Sequence, residues 1–154
     1  MTFRRKKGKI VANFRPEEII AIRTILTEVT DLIDDGDRSD PVIGRLFPDI
    51  YRDDPVESAE LRQYTEDDLK KTKIESVGIV LDTLAEHTTL TYEQADAWLR
   101  ALNDARLALG IRLGIHDDFD LETEYHKAAG SRATYISLYS YLSYLQDTLI
   151  EPLS

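Results

Sequence analysis

Residues 91–114, TYEQADAWLRALNDARLALGIRLG, decide the fold, because they form the longest run of apolar periodicity in the chain and both ends carry helix signals. Thr91 is an N-cap with Gln94 three residues on as its capping-box partner, and Gly114 follows the last apolar residue as a stop. On a wheel of roughly 100° per residue with Leu102 at zero, Ala95, Trp98, Leu99, Leu109 and Leu113 fall within about 60°, a stripe suited to a core. Arg106 falls in the same stripe. A guanidinium there needs a carboxylate or carbonyl, since an unpaired buried charge costs several kcal/mol. Acids that could reach it lie in the turns around Asp53 and Asp54 and around Asp67 and Asp68. The expectation is a structural clamp from Arg106 to those acids, with an anion pocket as the functional alternative.

The 154 residues fit one domain, 1–154, large enough to bury a core without a disulfide or metal staple. There is no cysteine, so a disulfide framework, a thiolate zinc site, a thiol nucleophile and a thiol redox switch are all excluded. No apolar run approaches a membrane span, and no signal-peptide core follows the basic N-terminus, so a cytoplasmic location with no membrane partner is expected. The first fifteen residues hold Arg4, Arg5, Lys6, Lys7, Lys9 and Arg15 and no acid; subtracting that +6 from the net charge of −10 leaves about −16 on the rest. Such a body repels nucleic acid and favours a basic partner surface. Residues 1–9 form a basic arm whose Arg4, Arg5, Lys6, Lys7 and Lys9 either make anion contacts or mark a solvated edge strand.

Outward from the central helix, Ile10, Ala12 and Phe14 alternate as a strand that Lys6-Lys7-Gly8 can turn back on Phe3 as a hairpin. A weak internal echo, VANFRPEEIIAIRTIL against TTLTYEQADAWLRAL, pairs that strand with one near Thr88 to Leu90 in a small sheet. Pro16 with Glu17 and Glu18 opens a helix carrying Ile19, Ile22, Leu26, Val29 and Ile33, ended by Asp34-Asp35-Gly36. Asp31, Asp35 and Gly36 mimic a calcium loop, but Ile33 and Val42 stand where oxygen ligands are required. Asp40-Pro41 and Asp54-Pro55 start short helices, and Thr65 is expected to cap a separate helix reaching about Glu86 with Ile74, Val77, Val80, Leu81 and Leu84 as its stripe. Residues 115–131 read as a long acidic loop or a frayed helical turn. A last helix from about Ala133 to Ile150 turns Tyr135, Leu138, Tyr139, Leu142, Leu145 and Leu149 to the core, and leaves Tyr141 and Tyr144 beside Ser137 and Thr148 as a possible interface. The fold class is therefore mainly α: a helical bundle with a short two- or three-stranded N-terminal sheet.

Chemistry is sparse. His87, His116 and His126 have no helical ligand spacing, although the acids between His116 and His126 leave metal or small-molecule binding at the 115–130 loop as a minor alternative. No nucleophile elbow, phosphate loop or acid–base pair is present, so no catalytic residue, metal ligand or cofactor is assigned.

Residues 46–73, 92–115 and 138–150 (LFPDIYRDDPVESAELRQYTEDDLKKTK, YEQADAWLRALNDARLALGIRLGI and LYSYLSYLQDTLI) resemble, in order and spacing, the actinobacterial domain of unknown function 2017 family, some of whose members are named AosR-type oxidative-stress transcriptional regulators. That resemblance implies a redox-responsive regulator of transcription sensing through a pair of cysteines, which this chain does not have. The expectation is a non-enzymatic regulatory domain acting through a protein partner, such as a component of the transcription machinery. The alternatives are a DNA-contacting regulator that uses the basic arm, since no recognition helix is visible, and a metal- or small-molecule-binding enzyme at the 115–130 loop; Tyr141 and Tyr144 would serve as the face of a homodimer if the chain self-associates.

Overall fold

The computed structural model describes residues 2–37, 39–47, 55–114, 120–127 and 130–154. Strands β1 (Phe3–Lys6), β2 (Lys9–Asn13) and β3 (His87–Leu90) form an antiparallel sheet in that order. Lys7 and Gly8 both take positive φ, 50° and 76°, as the centre of a two-residue hairpin turn, and pair Lys6 with Lys9. β3 aligns Leu90 with Ile10, the pairing that the sequence echo suggests. Period-two alternation points Phe3, Ile10, Ala12, Thr88 and Leu90 inward, all buried.

The helices are α1 (Pro16–Asp35), α2 (Pro41–Leu46), α3 (Pro55–Thr83), α4 (Tyr92–Leu113), α5 (Leu121–Lys127) and α6 (Ser131–Leu153). α4 is the hub, packing against α1, α2, α3 and α6. Its capping box is formed: the Gln94 N–H donates to Thr91 Oγ1 at 3.1 Å, and the Thr91 N–H donates to Gln94 Oε1 at 2.9 Å. Gly114 ends it at φ 69°. Trp98, fully buried, stacks on Phe14 at 5.6 Å and meets Phe3 edge-on at 5.6 Å, and its indole N–H donates to Thr83 Oγ1 at 2.8 Å. One aromatic group thereby joins sheet, hub and the end of α3. The buried Thr88 hydroxyl, hydrogen-bonded to the Thr83 and Ala85 carbonyls and the Ala85 N–H, closes the turn out of α3.

Three expectations are corrected. Residues 55–83 form one helix rather than two, so Thr65 lies mid-helix; nothing between Leu61 and Asp68 breaks a helix, and a capping signature permits a start without requiring one. Residues 121–127 are helical, initiated by Asp120, whose carboxylate accepts from the Glu122 and Thr123 N–H groups at 3.1 and 3.3 Å. The Thr123 hydroxyl, which donates to the same carboxylate at 2.8 Å, and then those backbone bonds hold the Asp120 carboxyl below its usual range. On α6, Tyr135 is exposed and Thr148 is buried, the reverse of the expectation. α6 packs on α4 and, through Arg5 at Pro152, on β1, whereas Tyr135 lines the open space between α6 and α1.

Candidate functional site: a groove between the first and last helices

The buried arc of α4 is broader than its leucine stripe. Ala97, Ala101, Ala105, Ala108 and Asp104 are also buried, and they lie roughly 60° to 160° to one side of Leu102. The Asp104 side of the helix meets α3: the Lys73 ammonium lies 3.0 Å from each Asp104 carboxylate oxygen. Burial holds the Asp104 carboxyl above its ordinary value, against the opposing pull of the Lys73 and Arg100 charges. The other side meets α6. There Arg106, half-buried, donates from Nη2 to Asn103 Oδ1 at 3.2 Å, and the same oxygen accepts from Gln146 Nε2 at 3.2 Å. Arg106 Nε is buried without a partner among the described residues.

Among the described residues, Arg106 is not joined to the acids expected to clamp it. Arg106 faces α6, Asp67 and Asp68 are exposed on α3, and Asp53 and Asp54 lie outside the described residues. The ion pair that joins α3 to α4 is Lys73–Asp104. A signal for it was in the sequence: alanines at helical spacing mark a second packing face, and Asp104 stands within it.

The basic segment is divided by strand alternation. Arg5, on the same face as Phe3, donates to the Pro152 carbonyl at 2.6 Å and the Ser154 carbonyl at 3.2 Å, and its guanidinium lies 5.9 Å from the Tyr92 ring centre. It caps the end of α6, where a helix leaves carbonyls unpaired. Arg4, Lys6, Lys7 and Lys9 are exposed around the hairpin. Because Phe3 is fully buried, residues 3–6 are an integral strand and not a free arm.

The two tyrosines also separate. Tyr144 is exposed, its hydroxyl 3.3 Å from the Thr2 hydroxyl. Tyr141 is half-buried, and its hydroxyl is buried with no partner among the described residues. Desolvation, then the neighbouring Glu18, holds that phenol far above the usual tyrosine range.

Tyr141 stands in the wall of a groove. α1 and α6 both lean on α4 with little direct contact between them, and the space they leave holds two cavities, of about 560 and 390 Å³. Both are lined by Ile25, Glu28, Ser131 and Tyr135, so they adjoin. The larger runs along Ala21, Thr24 and Leu138 to Arg15 and Tyr141; the smaller has Val29, Leu109 and Leu113 as apolar walls and Arg112 and Arg132 at its rim. Arg15 is paired to Glu17 and Glu18, each at 3.3 Å, and Arg112 to Asp40 at 2.7 Å. α1 presents this face as Ala, Thr and Glu, which from sequence reads as a solvated surface; only the placement of α6 turns it into a wall.

Among the described residues, no group of three or more acids and histidines is positioned to hold a metal ion, and no helix is long and apolar enough to cross a membrane. His87 hydrogen-bonds Asn13 at 2.7 Å, His126 lies exposed 4.0 Å from Glu122, and His116 is outside the described residues.

Comparison with known proteins finds similarity to the oxidative stress regulator AosR of Mycobacterium bovis and of Mycobacterium tuberculosis, each 27% identical over 90% of this chain and 79% of the relative. A putative oxidative stress regulator AosR of Mycobacterium leprae is 32% identical over 72% of this chain and 57% of its own length. No solved structure matches. The model of the domain of unknown function DUF2017 matches residues 1–153, nearly end to end, and the chain belongs to that family.

Proposed function

We propose that this chain is a non-enzymatic regulatory domain that acts through a protein partner in a transcription-linked response to oxidative stress, with no cysteine chemistry of its own. The observation that carries this reading is similarity to relatives named oxidative stress regulators across most of the chain. The charge of about −16 outside the first fifteen residues supports a protein partner over DNA. With no cysteine in the sequence, thiol oxidation of this chain is not the input, and the reading has the oxidant signal arrive through the partner or another sensor. The test is a strain lacking the gene, challenged with peroxide, with transcripts measured alongside capture of partners by the tagged full chain. Altered induction together with a stoichiometric transcription component is the expected result. Unchanged transcripts and no retained protein would discard the reading.

A second reading has one specific observation behind it: Arg4, Lys6, Lys7 and Lys9 cluster, exposed, on one hairpin. That hairpin could rest on phosphate. Changing all four to Gln leaves Phe3 and Arg5 in place, so loss of salt-dependent DNA binding in that variant would favour this reading, and no binding at low salt would remove it.

A further inference from the structure

We propose that the groove between α1 and α6 is the docking site for an amphipathic helix of a partner protein, with acids in its first turn and Lys or Arg in its last two turns. The inference rests on the protein-partner reading above and names the surface and the chemistry that it uses.

The shape is the first argument. From Glu17 to Leu32 the α1 wall runs about 22 Å at roughly 1.5 Å per residue, the length of four helical turns. Two adjoining shallow cavities along that line suit an elongated segment rather than one small molecule. The floor and walls supply apolar contact from Ile25, Val29, Leu109, Leu113, Leu138 and Tyr135. Ile20, 65% exposed, stands one turn from Glu17 and from Thr24 and extends the apolar rim. Tyr141 belongs to the same wall, its hydroxyl buried and without a partner among the described residues.

Charge sets the orientation. At the Tyr141 end, Glu17 and Glu18 outnumber Arg15, and in the middle Glu28 is exposed and carries no ion pair among the described residues. At the other end stand Arg132 and Arg112, and among the described residues Asp40, paired to Arg112, is the one acid bonded to either. Arg132 also donates to the Leu113 carbonyl at 3.2 Å, which fixes its head at the rim. A helix carries partial positive charge at its N-terminus and tends to hold acids there and bases at its C-terminus. Laid with its N-terminus beside Arg112 and Arg132 and its basic last turns along Glu17 and Glu18, it matches the side-chain charges at both ends of the groove, and those full charges outweigh the opposing partial charges of its termini.

The test uses the full chain and a fluorescein-labelled synthetic 18-residue peptide with Glu in the first turn, Leu at helical spacing and Lys in the last two turns. A peptide of identical composition with scrambled Leu spacing is the control. Expected are binding of the patterned peptide only, a three- to tenfold loss with Glu17→Lys, recovery when the facing peptide lysines become Glu, and near-complete loss with Thr24→Arg. Both substitutions are at exposed positions, so the fold, checked by circular dichroism, should be kept. Glu75→Lys makes the same charge change on α3 away from the groove; equal weakening by it, or binding of the scrambled peptide, would overturn the proposal as unspecific attraction. Self-association lost in Thr24→Arg would overturn it in favour of a second copy. Retention of the cellular partner by Thr24→Arg would overturn the groove while leaving the protein-partner reading intact.

Discussion

Lys73 and Asp104 bridge α3 and α4 with both side chains mostly buried, 16% and 12% exposed, so removing one partner leaves a desolvated charge on the other. Lys73→Met or Asp104→Ala should each cost ~3 kcal/mol in urea unfolding, while Lys73→Met with Asp104→Leu should recover most of that loss, because an apolar pair has no desolvation penalty. The Asp104 carboxyl sits above the ordinary 3.8, so the native state holds its proton more tightly than the unfolded chain does. This group therefore favours folding increasingly as pH falls through its native value, levelling off below its unfolded one. Relative to Asp104→Asn, the wild type should gain thermal stability between about pH 7 and about pH 4; a constant difference would contradict the raised value. Arg106 has the opposite standing. With an amide as its partner and Nε unsatisfied, Arg106→Met should be neutral or stabilising by up to ~1 kcal/mol. A loss of more than ~2 kcal/mol in the same assay would show that the arginine is held by an acid after all.

At the scale of elements, boundaries marked by caps and special backbone conformations were legible, and continuity was not. Pro16, Asp40, Thr91, Gly36 and Gly114 begin or end helices where their chemistry demands it. Thr65 carries equally good cap chemistry and begins nothing, because helix propensity on both sides lets α3 run through it. Asp67→Pro separates the two cases. In the first turn of a helix starting after Thr65, proline would be tolerated; inside the 29-residue α3 it should cost ~3 kcal/mol and reduce hydrogen-exchange protection on both sides. Asp120 shows the converse: it caps Leu121–Lys127, yet seven residues carry too little periodicity to mark a helix in the sequence.

For the whole molecule, the lysine-rich hairpin and the acidic body divide the surface charge, but the fold depends on the hairpin only through Phe3 and Arg5. Changing Arg4, Lys6, Lys7 and Lys9 to Gln should move stability by no more than ~0.5 kcal/mol per site, whereas Phe3→Ala should cost ~3–4 kcal/mol by opening a cavity beside Phe14 and Trp98. Thermal unfolding of the two variants checks both. The sequence by itself determined the mainly helical class, the hub helix with both of its caps, the hairpin and its pairing with residues 88–90, and family membership, because each rests on periodicity, capping chemistry or motif order within a short span of chain. Tertiary structure alone decided which face of the hub meets α3 and which meets α6, and hence that Asp104 and not Arg106 ties helices together. It alone also created the groove. Residues 200° apart on one helix are two positions apart in sequence, and walls from opposite ends of the chain share no local signal, so packing had to bring them together before their chemistry could be seen.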